Sequence, residues 1–185
     1  MRFPLVAALL VLVFVSFAPA QKTNDAINNQ IRSLHADKSI TLTFDGNTTK
    51  VMGVASNFAD SDSKAAGLQA MNFGVAFFYP GKTLAESPAT INFSFWAMAK
   101  KPRFAGGSHL IVNLADGDLD LGDSRYGAKP NENMEYLNFV LQRDDLAKIA
   151  GNAAPAKFKL GAYSFSFTTE QMTLLKNIIA VSNTK

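Results

Sequence analysis

The sequence contains no cysteine, only two histidines and a single tryptophan. Without cysteine there is no disulfide framework, no thiolate metal site and no thiol nucleophile, and neither lipoprotein anchoring nor c-type haem attachment. Two histidines alone make a zinc site a poor expectation. The Gly-x-Ser-x-Gly elbow, the phosphate-cradling glycine loop and the dinucleotide fingerprint are all missing. Serine stands beside histidine at Ser108-His109, but adjacent strand residues point to opposite faces. A serine triad would therefore have to join Ser108 to His35, or another serine to His109. An excess of one charge is lacking as well, with 18 basic and 15 acidic residues. That balance omits the basic stripe of a nucleic-acid binder, and no nucleic-acid partner is expected.

Long apolar runs are scarce too. The one present, residues 5–17, is far shorter than the roughly 20 residues a membrane span needs. It follows Met1-Arg2 and precedes Ala18-Pro19-Ala20, small residues at the positions a signal peptidase reads. Residues 1–20 are thus read as a secretory signal, and the protein as periplasmic or secreted, bacterial, and not membrane-spanning after cleavage. Loss of Arg2 leaves 17 basic against 15 acidic residues, a formal charge of +2. The rest suffices for one domain held together by packing alone.

Alternation dominates what is there. Residues 21–38 are polar, with Ala26, Ile27, Ile31 and Leu34 at helical spacing, and read as an arm or a marginal helix. Residues 39–185 read as a single β-rich domain. "SITLTF" and "TKVMGVA" flank "DGNT", and a four-residue loop would set Leu42 opposite Val51. "NFGVAFFY" turns Phe73, Val75, Phe77 and Tyr79 one way. "TINFSFWAMA" separates Ile91, Phe93, Phe95 and Ala97 from Asn92, Ser94, Trp96 and Met98. Because Trp96, Met98 and Phe78 lie opposite the main core, some strands are expected to be covered on both sides. Lys100, Lys101 and Arg103 then form a basic turn around Pro102. "EYLNFVLQ" faces Leu137, Phe139 and Leu141 inward. "RDDLAKIAGNA" reads as a short helix with Asp144 as its cap and glycine at its end. "KFKLGAYSFSF" reads as a hairpin over a Gly161-Ala162 II′ turn, and Thr168 to Gln171 as a capping box. The expected fold is mainly β: an antiparallel β-sandwich or strongly curved sheet of about seven or eight strands, with a short helix and a C-terminal helix.

The densest acidic stretch is "LADGDLDLGDSRYG". As a calcium loop of EF-hand type started from Asp116 it fails, because Leu121 and Gly127 fall where glycine and glutamate are required. As a hairpin over Asp116-Gly117, it sets Leu114 opposite Leu119 and Val112 opposite Leu121 on a buried face. Asp118 and Asp120 then face solvent. A surface calcium site from Asp116, Asp118, Asp120 and Asp123 is the alternative, since same-face neighbours about 7 Å apart can share one cation.

The C-terminal "YLNFVLQRDDLAKIAGN" and "KFKLGAYSFSFTTEQMTLL" resemble exported bacterial domains of uncharacterised function, in which a strand, an "LAKIA"-like helix, a "KLG…F.F" hairpin and a "T.EQ" helix follow in order. That resemblance implies an extracytoplasmic location and this order of elements, and no catalytic residue. The functional expectation is a non-catalytic exported binding or interaction module of the bacterial cell envelope, with an envelope protein or a small apolar ligand as partner. It is not expected to be an enzyme or to need a cofactor, calcium excepted. The fifteen phenylalanines suggest one alternative, a carrier holding an apolar ligand in a Phe-lined cavity. The other is a metal-assisted hydrolase using Asp118 and Asp120.

Overall fold

Period-two alternation builds one large sheet from the middle of the chain. The computed structural model describes residues 21–55 and 58–184; the signal peptide read in residues 1–20 lies outside them. After a two-residue strand β1 (Lys22–Thr23) and helix α1 (Asn24–Ser33), the chain forms β2 (Ile40–Phe44) and β3 (Thr48–Ala55). Helix α2 (Asp60–Ala65) leads into β4 (Ala70–Pro80), the short β5 (Thr83–Leu84) and β6 (Thr90–Met98). Strands β7 (His109–Leu114), β8 (Gly117–Asp123), β9 (Arg125–Lys129) and β10 (Met134–Gln142) follow. Helix α3 (Arg143–Gly151), strands β11 (Lys157–Leu160) and β12 (Tyr163–Ser166), and helix α4 (Thr169–Ser182) complete it.

The main sheet is six-stranded and antiparallel, in the order β2-β3-β4-β6-β10-β9, and a four-stranded sheet runs β12-β11-β7-β8. The two pair into a sandwich whose interior is phenylalanine. Phe58, Phe73, Phe95, Phe158 and Phe167 pack with ring centroids 4.6–6.5 Å apart, and each is at most 2% exposed. Burying one such ring stabilises the fold by about 1.5–3 kcal/mol, so the cluster stands in for absent disulfides. Helix α4 covers the β3–β4 side of the same face, with Leu174 and Ile178 lying over Gly53.

Several expectations hold residue by residue. Leu42 faces Val51. Phe73, Val75, Phe77 and Tyr79 are buried, as are Ile91, Phe93, Phe95 and Ala97. Gly161 takes a positive φ of 59° where a II′ turn requires it, and Leu160 faces Tyr163 across the turn. Thr168 and Gln171 form the reciprocal capping box.

Others are corrected. The strands exceed seven or eight, because β9 and the short β1–β5 pair carry too few alternating apolar residues to announce themselves. Among the described residues there are four helices, α1 and α2 joining the short and C-terminal ones expected of the domain. Of the two readings of residues 21–38, the helix is the one that forms over 24–33: Ile27 and Ile31 are buried in the core, and Lys22 fastens the segment by donating from Nζ to the Val181 and Asn183 carbonyls of the α4 end. Asp144 does not cap α3. The helix starts at Arg143, whose amide donates to the Ala89 carbonyl, and Asp144 lies inside the first turn. Gly151 is the last helical residue and keeps ordinary φ.

The acidic hairpin turns one residue earlier than its pattern suggested, which shifts the pairing register by two. Ala115-Asp116 is the loop, so Leu114 faces Gly117 and Val112 faces Leu119. A slip of two preserves every side chain's face, which is why the apolar pattern could not exclude it. Asn113 fixes the observed register by donating from Nδ2 to Asp118 Oδ1 across the strands at 2.6 Å. A bulge between His109 and Ile111 then readjusts the pairing.

Candidate binding face

The four aspartates of that hairpin are engaged within it. Asp116 sits in the turn and Asp118 accepts from Asn113. Asp120 and Asp123 grip the two nitrogens of His109, at 2.8 Å from Nε2 and 2.8 Å from Nδ1. Their hydrogen bonds, led by that from Asp123, raise the imidazole pKa above its ordinary 6.5. The Gly122 amide first, and His109 second, hold the Asp120 carboxyl below its ordinary range. When protonated, the histidine supplies the positive charge between these two carboxylates. Among the described residues, no group of three or more His, Cys, Asp or Glu side chains is arranged to hold a metal ion.

The remaining sequence candidates are dispersed. With both ring nitrogens of His109 bonded to aspartates, a serine has no nitrogen there to approach. Ser108 donates its amide to Ser124 Oγ, and its hydroxyl backs onto Gly161. His35 ends α1 at a left-handed φ of 52° and lines a separate groove with Lys38 and Glu170. The Arg103 guanidinium of the basic turn lies against Gly67.

That turn is anchored by a residue the sequence reading passed over. Glu135 is 3% exposed, and its carboxylate accepts from the Arg103 amide at 2.6 Å, the Phe104 amide at 3.0 Å and the Tyr126 hydroxyl at 3.1 Å. Parity could have found it, since Glu135 shares the inward register of Leu137 and Phe139.

The opposite face of the six-stranded sheet is open. Phe78, Trp96 and Met98 are expected to lie under a second cover, yet Phe78 is exposed and Trp96 and Met98 are only half-buried. Phe78 is 46% exposed and Val140 55%. The sheet's own side chains create the relief. Gly74, Ala76 and Ser94 keep the centre low, and Met52, Phe78, Trp96 and Val140 rise around them, leaving a groove of about 400 Å³. Trp96 reaches diagonally over β4. A Cβ at Gly74 would lie 2.5 Å from its Cη2, so only glycine admits the indole. Asn92, Ser94 and Asn138 add polar groups, and Ser94 donates to Asn138 Oδ1 at 2.7 Å.

The groove's charge is of one sign. Lys50 on β3 and Arg125 on β9 stand at its two ends, the lysine Nζ 5.9 Å from the Phe78 ring centroid, and no carboxylate lines it. Chemically, the face offers an aromatic surface, amide and hydroxyl partners and two cations. It carries neither a paired acid and base nor a nucleophile with a base beside it. Compared with known proteins, the chain matches no protein-family model, no curated protein and no solved structure.

Proposed function

We propose that this chain is a non-catalytic binding module, exported to the bacterial periplasm or surroundings, that takes its ligand on the outer face of the six-stranded sheet. One observation carries this reading. The inner face is sealed by the second sheet and the helices, while the outer face leaves Phe78, Val140 and Trp96 in contact with solvent. Apolar groups gathered in a groove and rimmed by polar ones mark interaction sites on soluble proteins. Export rests on the amino-terminal pattern of residues 1–20. The phenylalanine rings of the interior touch one another, so an apolar ligand would meet Phe78 and Trp96 outside them.

Amide mapping by two-dimensional NMR tests the proposal, with a panel of soluble glycans, lipid micelles and extended peptides added in turn. The expected result is saturable shifts confined to β3, β4, β6 and β10. Shifts confined to residues 116–123, or turnover of a substrate abolished by a substitution away from the groove, would contradict it.

A further inference from the structure

The lining of the groove narrows the class of ligand, an inference that rests on the binding-face reading. Three features coincide. First, the distal edge of the Trp96 indole lies against Gly74 of β4, and the same side chain lines the groove. Second, the polar groups Asn92, Ser94 and Asn138 stand on β6 and β10, between the strands that carry Lys50 and Arg125. Ser94 and Asn138 bond each other, but an acyl chain would offer no partner to Asn92 or to the Asn138 amide nitrogen, at a cost for each desolvated group. Third, Lys50 and Arg125 mark the two ends, and neither joins an ion pair among the described residues. Four strand spacings separate β3 from β9, roughly 19 Å at about 4.8 Å per strand.

A ligand complementary to all three needs an apolar face for the indole, hydroxyls for the amides and serine, and negative charge at separated points. A sugar ring has an apolar C–H face and a hydroxyl rim, and a uronic acid adds the carboxylate. We propose that the groove binds an acidic saccharide: a short uronate chain laid across the strands, one ring stacked on Trp96 and carboxylates directed at Lys50 and Arg125.

Trp96 is the only tryptophan in the chain, so its emission reports from the groove itself. The experiment titrates the protein with tetragalacturonate, its fully methyl-esterified form and sodium dodecanoate. The expected result is a saturable emission change with tetragalacturonate that weakens as salt is raised. Esterification of the ligand, or the double substitution Lys50→Gln with Arg125→Gln, should lower its affinity about fivefold or more, as loss of two exposed charge contacts implies. Both side chains reach solvent, and an unchanged melting temperature confirms that the variant is folded. Equal affinity for acid and ester, or saturable binding of dodecanoate without tetragalacturonate, overturns the acidic saccharide while the binding face stands. Silence toward all three ligands also overturns it, and the amide mapping then decides the face on its own.

Discussion

Glu135 and His109 show how differently two charged side chains serve one fold. Glu135 is buried and meets three donors, so its oxygens are all but fully used. In Glu135→Gln an amide NH2 replaces one carboxylate oxygen and faces a donor, which leaves a buried N–H or O–H unpaired. A loss of about 2–3 kcal/mol is expected, read as a lower urea midpoint at unchanged slope. His109 is exposed and acts through charge. Because its folded pKa is raised, its contribution to stability is fully present below the ordinary value of 6.5 and disappears as the pH climbs through the raised one. At the acid end, the contribution of Asp120 is lost as the pH falls through its lowered pKa. The melting-temperature advantage of the wild type over His109→Gln should therefore be greatest in mildly acidic, low-salt buffer and vanish in alkaline buffer. An advantage that grew with alkalinity would show that the ion pair is not its source.

Elements meet through small residues at two places. Gly53 lets α4 lie close on β3, since a Cβ there would come within 2.7 Å of Leu174 Cδ1 and 3.3 Å of two Ile178 carbons. Leu174 and Ile178 are themselves buried and have little room to withdraw. Gly53→Ala is expected to cost about 1–3 kcal/mol by overpacking, measured by urea unfolding, with amide exchange faster along α4. Gly74 is the counterpart on the outer face, but there the displaced group is the free end of Trp96. Gly74→Ala should move the indole, shift its emission to longer wavelength and change the unfolding midpoint much less than Gly53→Ala does.

At the scale of the molecule, residues 21–38 belong to the core as much as the strands do. Ile27 and Ile31 are buried, Asn24 accepts from the Tyr79 hydroxyl at 2.6 Å, and Lys22 holds the end of α4. Deleting residues 21–38 would uncover part of that core and remove the Lys22 clamp at once. The truncated chain is expected to lose its cooperative thermal transition and bind hydrophobic dye; a sharp transition at the full-length temperature would show that the segment is dispensable. The same segment shows why the sequence left helix and arm both open there. Its apolar residues are few, and the helix packs in part on α4, at the far end of the chain.

Much of the strand pattern was legible because it is local. Side chains alternate with a period of two, so the inward faces of β4, β6 and β10 could be read directly. Glycine and capping chemistry likewise marked the 161–162 turn and the start of α4. The register of the acidic hairpin was not legible to within two residues, because a slip of two leaves every face unchanged and the Asn113–Asp118 bond that decides it is not an apolar signal. What only the tertiary structure decided was strand order, and with it the site. Trp96, Gly74, Asn138, Lys50 and Arg125 come from five different strands. Their meeting depends on β10 inserting between β6 and β9 after the chain has visited the second sheet. The sequence determined which residues point away from the core; only the order of strands determined that they stand together on a face left open.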